Sequence, residues 1–147
     1  MKATMAGMAQ DALVTAMQTL TATGQPLEGV QVEDSYPGAG VTLKCIYLGG
    51  YRFVHTDEAA EYNTVGSEVI TIGVYFRSVR PDGTVKDARN DVLAWADAVV
   101  ALFSADPDLG GSMTWIGAAS GAGDYSHTPL GPEAVMSLQV TVGAVLI

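Results

Sequence analysis

Across Arg80-Pro81-Asp82-Gly83 the hydrophobic repeat of the chain changes, and that change constrains the fold more than any other feature. Before it, residues 65–80 alternate. Glu68, Ile70, Ile72, Val74 and Phe76 fall on one side of an extended chain, and Val69, Thr71, Gly73, Tyr75 and Arg77 on the other. A period of two marks a strand. Apolar groups on both sides near its middle suit a central strand, or one covered on two faces. The Pro and Gly of the break suit a turn. After it, Val85, Ala88, Val92, Trp95, Ala96, Val99, Leu102 and Phe103 recur at helical spacing, which predicts a helix over residues 84–104. Lys86, Arg89, Asn90, Asp91 and Asp97 fall largely on its other side. Thr84 and Asp87 stand at capping-box spacing, with Asp where Glu is usual.

The flanking sequence extends this alternation of elements. Met5, Met8, Ala9, Ala12, Leu13, Ala16, Met17 and Leu20 predict an amphipathic helix with Thr4 as N-cap, closed by Gly24 and Pro26. Its methionines read as core filler rather than a binding surface. Residues 29–33 read as a short strand and 34–38 as a turn. A strand follows with Val41, Leu43, Cys45 and Tyr47 on its apolar face and Thr42, Lys44 and Ile46 on the other. Residues 105–111 break the second helix, and 112–118 predict a strand around Met113, Trp115 and Gly117. Residues 119–132 read as a Gly/Ser/Pro-rich loop, and 134–147 as a long closing strand with Met136, Leu138, Val140, Val142, Ala144 and Leu146 on one face. The order α-β-β-β-α-β-β predicts an α+β fold, a mostly antiparallel β-sheet carrying two amphipathic helices. At 147 residues and 48% hydrophobic, the chain suits a single domain, residues 1–147.

Charge and composition exclude several functions. Sixteen acidic against seven basic side chains give a net charge of −9. A nucleic-acid binder neutralises phosphates with clustered Lys and Arg, and anionic membranes demand the same. Gln10 and Asp11 interrupt any signal-peptide core after Lys2, and no apolar run reaches membrane-spanning length, so a soluble protein made in a cytoplasm is expected. Cys45 is the single cysteine, which rules out an intrachain disulfide; on an apolar face it reads as a buried inert thiol.

No catalytic or cofactor signature stands out. The two histidines, His55 and His127, lack metal-ligand spacing. An EF-hand counted from Asp106 would need Glu at its twelfth position, where Gly117 stands. Ser120, Asp124, Ser126 and His127 can be composed into a triad on paper, but without the flanking pattern of a nucleophile elbow. Neither phosphate-binding glycine motif occurs. No enzyme activity, cofactor or metal is expected.

Residues 51–64 join two apparent hairpin neighbours, yet hairpin loops usually take about 2–5 residues. Arg52, Phe53, Asp57, Glu58, Glu61 and Tyr62 mix aromatic anchors with charges, as protein interfaces do, and form the candidate interface. A tolerated insertion is the alternative.

The succession of an amphipathic helix, the Val30–Gly38 stretch VQVEDSYPG, the strand EVITIGVYF at 68–76, and a helix running into LFSADPDLGG at 102–111 before Trp115 resembles one known family. It is similar to the tail terminator (tail completion) proteins of long-tailed bacteriophages, especially of actinobacterial phages and prophages. The resemblance spans nearly the whole chain, with ADP-x-LGG its most recognisable piece. It implies a structural virion protein of the tail and neck. Such a protein is assembled in the host cytoplasm as a ring, typically a hexamer, on the head-proximal end of the tail tube. The ring ends tube polymerisation and presents the surface that docks to the head. The implied partners are further copies of the chain, the tail tube protein and a head-tail connector or head-completion protein, with DNA passing through the lumen unbound. Another neck component, a head-completion or connector-adaptor protein, is the alternative within the same style of protein.

Overall fold

The computed structural model describes residues 3–55 and 66–146. In chain order the elements are α1 (Ala6–Gln18, with a 3-10 turn over Thr19–Thr21), β1 (Gln31–Glu33), β2 (Lys44–His55), β3 (Ser67–Val79), α2 (Val85–Ala105), β4 (Trp115–Thr128) and β5 (Gly131–Val145). This is the predicted α-β-β-β-α-β-β order. Among the described residues five strands form one sheet in the order β1-β2-β3-β5-β4, antiparallel except for the short parallel pair β1–β2.

One face of the sheet makes the core. Ile70, Ile72, Val74 and Phe76 of β3, with Leu138, Val140, Val142 and Ala144 of β5, are buried beneath Ala9, Leu13 and Met17 of α1 and Val92, Trp95 and Val99 of α2. The inward faces of β5 and α2 are the apolar faces their periodicities predicted; β3 is central, as one of its two expected readings had it, and its helix-covered set is the one that holds Ile70 and Phe76. The opposite face carries no helix among the described residues and stays half-exposed along β3 and β5.

Caps and turns set the ends of the helices. The Thr84 hydroxyl accepts from Asp87 N–H while the Asp87 carboxylate accepts from Thr84 N–H, completing the capping box. The bond from Thr84 N–H, chiefly, and a second from the Thr84 hydroxyl hold the Asp87 carboxyl below the usual carboxylate range. At the start of α1 the N-cap is Met5, with no side-chain cap, rather than the predicted Thr4. Thr4 Oγ1 accepts from Ala6 N–H, but the preceding amide, Met5 N–H, goes to a carboxylate from across the sheet, Glu68, which takes over the capping role. After α2, Asp106 Oδ1 accepts from Gly110 N–H at 2.9 Å and Asp108 Oδ1 from Gly111 N–H at 3.1 Å. The ADP-x-LGG stretch is thus a self-bonded turn that returns Leu109 and Met113 to the core.

Four further sequence expectations are corrected. Residues 119–132 are not a loop: β4 extends through them to Thr128 and pairs with β5 across the two-residue turn Pro129-Leu130. Gly, Ser and Ala suggested a loop, but β5 supplies a full ladder of partners, and pairing overrides local propensity. The strand predicted over 112–118 accordingly starts at Trp115, and Ile116 rather than Met113, Trp115 or Gly117 is its inward residue, because Met113 belongs to the preceding turn. In β2 the helix-covered residues are Ile46 and Leu48, while Cys45 and Tyr47 lie on the other face opposite Arg77 and Tyr75. Cys45 is nonetheless fully buried, so a pattern of burial alone could not tell the faces apart. Finally, β2 continues to His55, so the predicted connection loses its first five residues to the strand.

Candidate functional site

Gly49 and Gly50 bulge out of β2, since the pairing with β3 shifts between Leu48 and Tyr51. The shift reverses the phase of the strand. Beyond it Tyr51, Phe53 and His55 stand opposite Ile72, Ile70 and Glu68, on the helix-bearing side, while Arg52 and Val54 stand opposite Thr71 and Val69 on the open side. Arg52 and Phe53, predicted together as interface residues, therefore present to opposite faces. Both are exposed. The other four, Asp57, Glu58, Glu61 and Tyr62, lie outside the described residues.

The base of this strand end is tied to the N-terminus of α1. Glu68 is 1% exposed, and its Oε1 accepts from the Thr4 hydroxyl at 3.0 Å and from Met5 N–H. A carboxylate there complements the positive end of the helix dipole. Its Oε2 has no hydrogen-bond partner among the described residues and lies 3.6 Å from His55 Nε2. The same His55 nitrogen stands 2.9 Å from the Ala3 carbonyl, as an Nε2–H donor would.

The open face carries a line of aromatic rings that sequence reading missed. Tyr47 and Tyr75 stack with centroids 5.4 Å apart, and Tyr36, from the β1–β2 connection, meets Tyr47 edge-on at 5.2 Å. Burial, chiefly, pushes up the Tyr47 hydroxyl. Arg77 donates to Glu133 at 2.7 Å beside them. Burial, with Glu33 nearby, likewise raises the Cys45 thiol above its ordinary value, which keeps it protonated and unreactive.

On the helix-bearing side a groove of about 560 Å³ runs between α2 and β4. Gly121 and Gly123 form its floor, and Leu93, Arg89 and Tyr125 are among its lining residues. Its signals were present in the sequence. Leu93 is a leucine out of phase with the buried stripe, and Gly121 and Gly123 alternate where a core strand would carry side chains.

The paper triad is not assembled. Ser120, Asp124 and Ser126 share one face of β4 and His127 points to the other, with Ser120 and His127 roughly 23 Å apart along the strand at ~3.3 Å per residue. Ser126 instead donates to Glu133 at 3.1 Å. Among the described residues no group of three or more His, Cys, Asp or Glu is placed to hold a metal ion, and no helix is long and apolar enough to cross a membrane. The exposed features are strand ends, aromatic rings and a groove, which suit macromolecular contacts.

Against known proteins, the fold has a clear counterpart. A chain in the solved structure of the virion of a native gene transfer agent particle is similar with a TM-score of 0.64, at 13% identity, over 98% of this chain and 99% of that one. Comparison with models of known protein families and with curated protein sequences gives no match. At 13% identity the likeness is one of fold: the α+β arrangement described here is also that of a virion component, end to end.

Proposed function

We infer that the protein is a structural component of a phage-like virion and acts as a tail terminator. In this reading copies of the chain form a ring, six-membered, on the head-proximal end of the tail tube. The ring stops further tube growth and offers the surface to which the head docks. The observation that carries the reading is the fold likeness to a chain of the gene transfer agent virion, which leaves almost no part of either chain unmatched. The resemblance to tail terminators in element order and in the ADP-x-LGG turn supports the finer assignment.

The charge balance agrees with the role. Each copy brings a net charge of −9, and a ring multiplies it. Carboxylates facing a lumen repel the phosphates of passing DNA and leave it unbound. A second member of the neck, a head-completion or connector-adaptor protein, would share this charge and fold style, so the discriminating property is the partner.

Light scattering with and without purified tail tubes, followed by imaging of the tubes, tests the reading. A terminator gives a ring mass near six chains, or caps at one tube end. A chain that stays monomeric, ignores tubes and binds the portal side of the neck belongs to the adaptor class instead.

A further inference from the structure

Two exposed apolar surfaces lie at opposite edges of the sheet, both on its helix-bearing side. One is the α2–β4 groove, with Gly121 and Gly123 as its floor and Leu93, 45% exposed, on its wall. The other is the far end of β2, where the bulge turns Tyr51 and Phe53 to the helix side, 52% and 39% exposed. Among the described residues neither β4 nor this end of β2 is covered by a further strand, since β4 ends the sheet and β1 pairs only with residues 45–47 of β2.

We propose that the α2–β4 groove of one copy receives the β2 end of a second copy, with Tyr51 and Phe53 entering against Leu93 and the glycine floor. The contact rests on the ring-forming reading above and supplies its subunit interface. Glycines at 121 and 123 leave the inward face of β4 bare, so aromatic rings can approach the backbone there. Charge agrees with the direction of docking. Arg89 lines the groove and Lys86 lies one turn earlier on α2, and neither forms an ion pair among the described residues. In sequence, β2 leads on from His55 into the carboxylates Asp57, Glu58 and Glu61.

Strand direction agrees as well. β2, β5 and β3, β4 alternate in direction through the antiparallel pairs, so β4 runs opposite to β2. A second copy placed edge to edge, with the same side of its sheet toward the helices, therefore brings its β2 antiparallel to β4, as in most of the existing sheet. The two patches are different, so the contact is heterologous: it repeats head to tail and closes into a ring when the rotation between copies closes.

A chain carrying both Phe53→Cys and Leu93→Cys, treated in solution with a short bismaleimide, tests the contact. Both positions are exposed and Cys45 is fully buried, so unchanged thermal unfolding of each variant verifies that it is folded. The expected result is a ladder of covalent oligomers from the double variant and only uncross-linked chain from either single variant and from the parent. A covalent dimer from a single variant overturns the proposal, because it reports a like-to-like contact. A double variant that yields no ladder also overturns it. The mass of the same samples then separates the two ideas. A ring without cross-links removes this interface and keeps the terminator reading, whereas monomers with bare tube ends remove both.

Discussion

The indole of Trp115 occupies the space that a side chain at Gly143 would fill: a Cβ built on Gly143 would lie within 2.6 Å of three indole atoms. The two residues are direct cross-strand partners of β4 and β5 on the open face. An aromatic ring laid over a glycine shields backbone that would otherwise be bare, and it pins the register of the hairpin. Gly143→Ala should push the ring outward at a cost of about 1–3 kcal/mol, as inserting an extra methyl into an occupied space does. A shift of Trp115 fluorescence toward that of a water-exposed indole, read in a Trp95→Phe background, checks the displacement.

Trp95 is the reverse case, an indole buried between α2 and the sheet. Trp95→Ala should cost ~3–5 kcal/mol, as large-to-small changes in cores do. Thermal unfolding measures it, and an unchanged midpoint would contradict the packing of α2.

Asp91 joins α2 to the end of β3. It accepts from Arg80 Nε and Nη2, each at 2.6 Å, and from the buried Ser78 hydroxyl at 2.7 Å. Burial by itself would raise its carboxyl, but the hydrogen bonds from Arg80 and Ser78 outweigh burial and hold it below the usual range. The folded value is thus lower than the unfolded one, about 3.9. The stabilisation is present above the unfolded value and is lost as pH falls through the folded one. Asp91→Asn should therefore lower stability at neutral pH and flatten the acid limb of a stability–pH curve. Equal acid limbs for parent and variant would contradict this.

Gly131 begins β5 with φ +132°, and a Cβ there would stand 2.8 Å from the Arg80 carbonyl oxygen and from Pro81 Cα. Backbone on both sides leaves nothing flexible to yield. Gly131→Ala should cost at least the ~1–3 kcal/mol typical of a side chain forced into such a conformation. Urea unfolding gives the number. The same substitution at Gly117, where a Cβ meets nothing within 4 Å, is the control.

Replacing Asp57, Glu58 and Glu61 together by Ala should leave the unfolding temperature close to the parent's and weaken assembly on tail tubes. Caps of normal occupancy seen by imaging would make residues 56–65 a tolerated insertion.

Element order was legible because β3, β5 and α2 each bury one clean face, so their periods survive in the sequence. β4 was not legible, since its inward positions past the 118–120 irregularity are Gly121, Gly123 and Tyr125, under a groove rather than a core. Without a core to face, that half of the strand needs no hydrophobic alternation. Arg52 and Phe53 fall in a connection when read from sequence because the alternation of β2 breaks off before them, at Gly49-Gly50. The break is a bulge, and a bulge and a strand end share the same glycine signature. Leu93 could have been noticed as an exposed leucine on the wrong side of its helix, but only the fold shows the glycine floor beside it.

The Gly49-Gly50 bulge also makes β2 two half-strands of opposite parity. Up to Leu48 even-numbered residues face the helices, and from Tyr51 onward odd-numbered ones do. A position-by-position record of which substitutions β2 accepts should then rise and fall with a period of two and skip a beat at the glycines. Deleting one of them would put the far half back in step with the near half. Tyr51 and Phe53 would still face the helices opposite Ile72 and Ile70, and Arg52 and Val54 the open side, so the far half would keep its contacts while losing the kink that sets it apart.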